Sequence, residues 1–150
     1  MNNTLILMQG SSASGKSFVA EALQAVYELR KIECQIASTD NFWYINSDGV
    51  KYEFDRNKLG EAHAWNQNYV AEMMEHDVNV IIVDNTNTTK KEAAPYIQLA
   101  KKYGYEIRVI SVSCSDSVAK MYNSQRAINR RVPENVIESQ NKRIERISLD

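Results

Sequence analysis

Apolar and polar positions alternate along the chain in two repeating patterns. Short apolar runs rich in β-branched residues predict strands that are buried on both faces, at residues 4–8, 34–38, 78–83 and 105–113. Between and after them, apolar residues recur every three or four positions and predict helices at residues 16–31, 57–76, 89–104, 115–129 and 134–147. This order predicts an α/β fold with a parallel sheet of four or five strands, covered by helices on both faces.

Local signals refine the helices. The first helix is predicted to bury one apolar face, which consists of Phe18, Val19, Leu23, Val26 and Leu29. Thr89 and Glu92 have the spacing of a capping box, and Gly104 stands where a helix commonly ends. Pro133 suits the first turn of the last helix.

Residues 40–56 are irregular and rich in aromatic side chains. The Asp48-Gly49 pair within them is a hairpin signal. The rings in this segment either form the core of such a hairpin or stack on bases, and they are Phe42, Trp43, Tyr44, Tyr52 and Phe54.

Composition limits the class of protein. The chain has 150 residues, of which 43% are hydrophobic and 25% charged, as in an ordinary globular domain. We therefore expect one domain over residues 1–150. No apolar run is long enough to span a membrane. A secretory signal has basic residues before its apolar run, and none precedes the first apolar run here. Cys34 and Cys114 form no disulfide framework and suit buried strand positions, so we expect a cytoplasmic protein.

The net charge of −1 hides a basic segment near the end of the chain. Residues 120–146 contain seven Lys or Arg against three Glu, a local charge of +4. Such a cluster is either a solvated helical face or a lid that faces an anion.

Residues 10–17 match the phosphate-binding pattern G-x-x-x-x-G-K-[ST] at every fixed position, between a predicted strand and a predicted helix. Glycines let the backbone wind around phosphate, and the start of the helix directs N–H groups and positive potential at the same place. Lys16 adds a charge for the β- and γ-phosphates, and Ser17 a hydroxyl for Mg²⁺. The residues expected to bind ATP are Gly10, Ser11, Ser12, Ala13, Ser14, Gly15, Lys16, Ser17 and Phe18.

The pattern does not name the reaction, but other signatures narrow it. GTPases carry D-x-x-G and N-K-x-D, and this chain has neither. It is also too short for the additional subdomains of most motor ATPases. A P-loop kinase type of fold with a helical lid, catalysing phosphoryl transfer, is the remaining expectation.

Acidic and amide residues follow two other predicted strands, at the edge of a parallel sheet where ligands bind. Asp40 is a candidate general base for a hydroxyl acceptor, although a turn aspartate is the alternative. Asp84 ends an apolar run in the manner of a Walker-B aspartate and could hold Mg²⁺ or align the acceptor. Asn85, Thr86 and Asn87 offer donors to the acceptor, or serve the turn alone.

Three arginines, Arg126, Arg130 and Arg131, lie between the last two predicted helices, where a lid could bring them to the transferring phosphate. Arg126 and Arg130 are four residues apart and could share one helix face. His63 and His76 have no partner at ligand spacing, and we interpret them as structural.

Taken in order, these motifs resemble the P-loop kinase family of the bacteriophage polynucleotide 5′-hydroxyl kinase, including the related domain of eukaryotic Nedd4-binding proteins. The resemblance covers nearly the whole chain. It is carried by residues 10–17, 38–40 (Ser-Thr-Asp), 52–55 (Tyr-Glu-Phe-Asp), 62–63 (Ala-His), 83–88 (Val-Asp-Asn-Thr-Asn-Thr) and 95–105.

The resemblance implies transfer of the γ-phosphate of ATP, with Mg²⁺, to a 5′-hydroxyl end of DNA or RNA. It implies that Asp40 is the general base, that Asp84 is the acceptor-side aspartate, and that Arg126 or Arg130 is the lid arginine. The chain departs from the phage enzyme at Trp43, where that enzyme has an arginine that holds the acceptor's 3′-side phosphate. A nucleoside, a nucleotide or another small hydroxyl compound is therefore the alternative acceptor, and a non-catalytic ATP-binding module is a third possibility.

Overall fold

The structure is a computed structural model that describes residues 2–45 and 51–149. The hairpin predicted at Asp48-Gly49 lies outside the described residues. Within them, no helix is long and apolar enough to cross a membrane.

Four strands and six α-helices follow one another in the described part of the chain. The strands are β1 (Thr4–Gln9), β2 (Cys34–Ala37), β3 (Val80–Val83) and β4 (Glu106–Ser111). The helices are α1 (Lys16–Leu29), α2 (Phe42–Ile45), α3 (Leu59–Glu75), α4 (Lys90–Tyr103), α5 (Asp116–Ser124) and α6 (Glu134–Arg143). Short 3₁₀ turns precede α2 (Thr39–Asn41) and α3 (Arg56–Lys58), and a third lies between α5 and α6 (Ile128–Arg130).

The strands form one parallel sheet in the order β2-β3-β1-β4, which confirms the predicted fold class. The chain leaves β1 towards β2, returns to β3, and then crosses to β4 on the other side of β1. The direction of winding therefore reverses beside the carboxyl end of β1, which is where ligands bind in sheets of this kind.

Both faces of the sheet are covered by helices, as the unbroken apolar runs require. On one face, Leu5 and Leu7 of β1 pack with Val70 and Met74 of α3 and with residues of α4. On the other, Ile6, Met8, Val80 and Ile82 pack against α1, in particular Ala20.

The predicted apolar face of α1 is wrong in part. Phe18 is 78% exposed, Leu29 85% and Val26 49%. The predicted Val19 and Leu23 do pack on the sheet, together with Ala20 and Tyr27. Lys16, the first residue of α1, is buried as well and lies on the same helical face as Ala20, Leu23 and Tyr27.

The last two helices are shorter than predicted. Helix α5 ends at Ser124, because the Asn123 amide bonds both backbone groups of Val132 and closes the chain between them into a loop. Helix α6 ends at Arg143, where the backbone extends and Glu145 N–H donates to the Thr88 carbonyl. Hydrogen bonds to other elements thus outweigh further helix growth.

Two predicted ends of α4 are confirmed. The Thr89 side chain accepts from Glu92 N–H while the Glu92 carboxylate accepts from Thr89 N–H, a complete capping box. Gly104 closes the helix in the left-handed conformation with φ 74°. Because these signals are local, they could be identified without knowledge of the fold.

Candidate active site

A cleft of about 230 Å³ opens at the carboxyl ends of β1, β2 and β3. Its walls come from the loop after β1, the turn after β2, the loop after β3 and the segment between α5 and α6. The sequence-predicted residues that line it are Ser12, Lys16, Ser17, Asp40, Trp43, Asp84, Asn85, Thr86, Arg126 and Arg130. The structure therefore brings together side chains that are up to 118 positions apart in the chain.

The loop over residues 10–15 needs its two glycines for different reasons. A Cβ on Gly10 would stand 2.6 Å from the carbonyl oxygen of Val112, so this position admits no side chain without a backbone shift. Gly15 has φ 98°, which an L-residue rarely adopts, although the space around it is open. The first glycine allows close packing beside β4, and the second sets the turn into α1.

Lys16 is only 8% exposed, and its ammonium donates to the Ser11 carbonyl at 2.9 Å. Burial lowers the pKa of Lys16, and the opposing effect of Asp84 is smaller. The ammonium has three N–H donors, and the Ser11 carbonyl accepts from one of them. An anion with several oxygen atoms could accept from the others and compensate the buried charge. The triphosphate of a nucleotide is such an anion.

Ser17 and Asp84 meet across the cleft floor. The Ser17 hydroxyl donates to Asp84 Oδ2 at 2.7 Å, and Asp84 N–H is fixed by the Ala37 carbonyl at 2.8 Å. Burial raises the pKa of Asp84, against the lowering effects of the Ser17 hydrogen bond and of Lys16. Asp84 Oδ1 is buried and has no hydrogen-bond partner within the described residues. Hard oxygen donors with one atom unpartnered fit Mg²⁺, which uses one or two protein oxygens besides phosphate and water.

Asp40 is exposed on the 3₁₀ turn after β2 and faces the same cleft. A buried polar network holds this turn. Thr39 N–H donates to Asn85 Oδ1 at 3.0 Å, and the Asn85 amide donates to the Tyr96 hydroxyl at 3.2 Å. Asn66 on α3 donates to the same hydroxyl at 2.8 Å. The backbone beside Asp40 is thus fixed to β3, α3 and α4 at once.

The segment between α5 and α6 supplies the cationic wall. Arg126 is half-buried, and burial, with the neighbouring charge of Arg130, lowers the pKa of Arg126. Arg130 lies over the Tyr52 ring, with its guanidinium carbon 5.6 Å from the centroid. Arg131 does not line the cleft and donates from Nε to the Arg126 carbonyl at 2.8 Å. The predicted shared helix face of Arg126 and Arg130 is wrong, since both follow the end of α5, yet both side chains reach the cleft.

Aromatic side chains form the wall on the Asp40 side. Trp43 is buried, at 1% exposure, and meets the half-exposed Phe54 edge-on at 4.9 Å between ring centroids. Burial and the nearby Asp40 carboxylate raise the pKa of Tyr52 to about 12. Trp43 was expected in a hairpin, but it lies in the short helix α2. His63, which we interpreted as structural, is exposed and lines the cleft.

The predicted binding residues that do not line this cleft are Gly10, Ser11, Ala13, Ser14, Gly15, Phe18 and Asn87. Asn87 is 1% exposed and donates from its amide to the Met8 carbonyl at 2.8 Å, so it serves the loop after β3 rather than a ligand in the cleft. Phe18 points away from the sheet in the first turn of α1 and does not line the cleft. Asn87 therefore has the turn role that the sequence analysis gave as its alternative. Phe18 neither lines the cleft nor belongs to the buried face of α1.

Three residues of the site escaped the sequence analysis. Gln140 accepts a hydrogen bond from Ser12 N–H, Asn123 closes the arginine loop, and Tyr96 anchors the network beside Asp40. Each lies in the interior of a helix. A polar residue on the inner face of an amphipathic helix was the one available signal, and it does not indicate which loop that residue meets.

A family model described as an AAA domain matches residues 5–147. Human NEDD4-binding protein 2 is 43% identical over 103 residues, which are 69% of this chain and 5% of that much longer protein. Among solved structures, Kti12 of Chaetomium thermophilum in complex with ADP-AlF3 has a TM-score of 0.72 at 20% identity, covering 95% of this chain and 80% of that one. A chain of the Pnkp1/Rnl/Hen1 RNA repair complex has a TM-score of 0.71 at 15% identity, covering 95% and 44%.

Proposed function

The chain belongs to the AAA domain family, as a P-loop kinase-like domain, and on that premise we propose that it is an ATP-dependent kinase that phosphorylates a hydroxyl group. The acceptor we propose is the 5′-hydroxyl end of a DNA or RNA strand. Matched relatives are longer proteins, since the chain spans only 5% of human NEDD4-binding protein 2, so the proposal concerns this domain alone.

One observation carries the proposal. One cleft is lined by Asp40, by Lys16 and Ser17 of the phosphate-loop motif, and by Arg126 and Arg130. Phosphoryl transfer needs these three components together: a cradle for the donor, a proton acceptor for the attacking hydroxyl, and cations for the charge that spreads over the transferring phosphoryl oxygens.

In the proposed reaction, Asp40 accepts the proton of the acceptor hydroxyl while its oxygen bonds to the γ-phosphorus. The bond from that phosphorus to the bridging oxygen breaks, and ADP leaves. Lys16, Arg126 and Arg130 stabilise the negative charge that develops on the phosphoryl and bridging oxygens. Ser17 and Asp84 would hold Mg²⁺, which neutralises phosphate charge when bound.

Two observations support a nucleic-acid end as the acceptor. The loop between α5 and α6 adds cationic side chains to a cleft whose other wall is aromatic, so phosphate and base have complementary surfaces within reach of Asp40. Within the Tyr-Glu-Phe-Asp and Asp-Asn-Thr-Asn-Thr stretches, the residues that line the cleft are Tyr52, Phe54, Asp84, Asn85 and Thr86. One structural neighbour is part of an RNA repair complex, which is compatible with this acceptor.

The test is an acceptor screen with γ-labelled ATP and Mg²⁺. Oligonucleotides of DNA and RNA with free 5′-hydroxyl ends are compared with the same oligonucleotides phosphorylated at the 5′ end and with nucleosides. We expect label on the 5′-hydroxyl oligonucleotides alone. Label on small acceptors but on no oligonucleotide would reject the polynucleotide assignment while leaving the kinase assignment in place.

Variants of two aspartates test the base. Asp40→Asn should lower turnover by about 10²–10⁴ while ATP still binds, because only proton transfer is lost. Asp77→Asn is the matched control, since Asp77 is exposed and lies just before β3, at the amino ends of the strands and so away from the cleft. Equal turnover of Asp40→Asn and the wild type would remove Asp40 from the chemistry.

A small-molecule or nucleotide kinase is the second candidate, and Trp43 favours it. This buried ring lines the acceptor side at the position where the phage enzyme has a phosphate-binding arginine. An acceptor without a 3′-side phosphate has no need of that arginine. The nucleoside arm of the screen decides between the two acceptors.

A further inference from the structure

Gln140 joins the C-terminal helix to the phosphate loop. It lies in α6, is 8% exposed, and its Oε1 accepts a hydrogen bond from Ser12 N–H at 2.8 Å. A backbone N–H can only donate, so the oxygen of the Gln140 amide must be the atom that faces Ser12. The amide nitrogen is thereby left for another partner.

The helix that carries Gln140 is held against α5 and, beyond its own end, against the loop after β3. Asn141 donates from its amide to Asp116 Oδ1 at 2.6 Å, and Lys120 of α5 pairs with Glu138. Beyond the end of α6, Glu145 N–H donates to the Thr88 carbonyl at 2.7 Å. Because the backbone of α6 is held by these contacts, we expect the Gln140 side chain to keep its hydrogen bond to the phosphate loop when phosphate binds, and not to be displaced.

The other end of the amide meets the cleft. Among the hydrogen bonds of the described residues, Gln140 Nε2 donates to no acceptor, although the side chain lines the cleft with Lys16, Ser17 and Arg126. The Gln140 residue as a whole is 8% exposed, and its Nε2 can donate to a ligand oxygen that enters the cleft. The ligand oxygens expected between Lys16 and Arg126 are those of the terminal phosphate.

We propose that Gln140 is a specificity-determining residue for the triphosphate: its Oε1 fixes Ser12 in the phosphate loop, and its Nε2 donates to an oxygen of the γ-phosphate. The inference rests on the proposed function for the identity of the nucleotide. It predicts that this one amide distinguishes ATP from ADP, because the diphosphate has no phosphate group at that place.

The test is nucleotide affinity, measured by calorimetry with Mg²⁺ and without acceptor, for a non-hydrolysable ATP analogue and for ADP. Gln140→Glu keeps an oxygen for Ser12 N–H but replaces the donor with a negative charge beside the phosphate. We expect it to weaken the ATP analogue at least tenfold and ADP less than threefold. Gln140→Met keeps the length of the side chain and removes both hydrogen bonds, and it should also weaken the analogue more than ADP.

Ser139→Ala is the control, because Ser139 is exposed on the same helix and, among the described residues, its hydroxyl accepts a hydrogen bond from Arg143 alone. It should change neither affinity. Equal losses for the two nucleotides in both Gln140 variants would overturn the inference and leave Gln140 as a structural residue. Tighter binding in Gln140→Met would also overturn it, since the amide would then compete with phosphate.

These outcomes are separate from those of the acceptor screen. A wild-type protein that binds the ATP analogue but phosphorylates no acceptor leaves the inference on Gln140 standing and rejects the proposed kinase activity. A wild-type protein that transfers phosphate but shows no ATP-to-ADP difference on substitution of Gln140 rejects the inference alone. Failure of the wild type to bind either nucleotide rejects both.

Discussion

Replacing Asp84 with asparagine should stabilise the nucleotide-free protein while weakening its binding of Mg²⁺ and ATP. Burial raises the pKa of Asp84 above its ordinary value, and the Ser17 hydrogen bond and Lys16 offset only part of this effect. The folded chain therefore holds the proton of this carboxyl more tightly than the unfolded chain does. At neutral pH the carboxylate is ionised in the unfolded chain, so its charge costs folding free energy.

The raised pKa of Asp84 sets the sign of the effect. Each pKa unit corresponds to about 1.4 kcal/mol, and for a chain of this length each kcal/mol moves the melting temperature by roughly 2–4 °C. Asparagine has nearly the shape of the protonated acid, and its oxygen can still accept from the Ser17 hydroxyl. Lys16 loses one neighbouring carboxylate in the variant but retains Asp40 nearby. We therefore expect Asp84→Asn to be more stable than the wild type.

The assay is thermal unfolding of the wild type and Asp84→Asn without nucleotide, from pH 4 to pH 8. The destabilising charge of Asp84 is fully present above its raised folded pKa and is relieved as pH falls through that value. The stability difference should accordingly be largest at pH 8 and shrink on acidification. Asp77→Asn, at the amino ends of the strands, should not reproduce this pH-dependent gain.

Two results would refute the reasoning. A variant less stable than the wild type at pH 8 would mean that the attraction between Lys16 and Asp84 stabilises the fold by more than the burial of the Asp84 charge destabilises it. A difference that grows towards acid pH would mean that the pKa of Asp84 is lowered rather than raised. Calorimetry with Mg²⁺ and an ATP analogue completes the test, because unchanged affinity in Asp84→Asn would separate this residue from the metal.

Three further predictions concern stability and reactivity. Gly10→Ala should cost about 1–3 kcal/mol in urea unfolding with an unchanged slope, because the new Cβ would stand 2.6 Å from the Val112 carbonyl oxygen; unchanged stability would show that the loop relaxes freely. Tyr96→Phe should cost about 1–3 kcal/mol in the same assay, since it leaves the fully buried Asn66 amide without its acceptor, and an unaltered midpoint would contradict this. Burial raises the pKa of the Cys34 thiol to about 11, so about one thiol in a thousand is ionised at pH 8 and native alkylation should be slow until urea unfolds the chain; equal rates in both states would disprove it.

The sequence predicted the sheet and the phosphate loop well because their signals are local. The Val80–Val83 run and the G-x-x-x-x-G-K-[ST] pattern can each be recognised from a few consecutive residues. Asp40 follows the predicted strand at residues 34–38 and Asp84 follows the Val80–Val83 run. Because ligands bind at the carboxyl ends of parallel strands, both aspartates are predicted to lie on the ligand side of the sheet. The structure has both side chains on that side, in one cleft.

The errors lie where contacts distant in sequence decide the conformation. Periodicity favoured Phe18, Val19, Leu23, Val26 and Leu29 as the buried face of α1, and of these Val19 and Leu23 pack on the sheet while the others are exposed. The packed face also contains Ala20 and Tyr27. Hydrophobic periodicity identifies the helix, but it does not show which of two neighbouring faces meets the sheet.

The same reasoning explains why Gln140 could not be found from the sequence. Nothing in residues 134–147 shows that α6 returns to the loop after β1, because that approach depends on the hydrogen bond between Glu145 and Thr88 and on the burial of Ile147. With the end of the chain held by these contacts, the inner face of α6 lies beside the phosphate loop. The polar side chain of Gln140 on that face accepts its hydrogen bond from the loop backbone at Ser12. Motifs can therefore identify candidate ATP-binding residues at the strand ends, whereas a candidate on the last helix, such as Gln140, depends on how α6 packs against the phosphate loop.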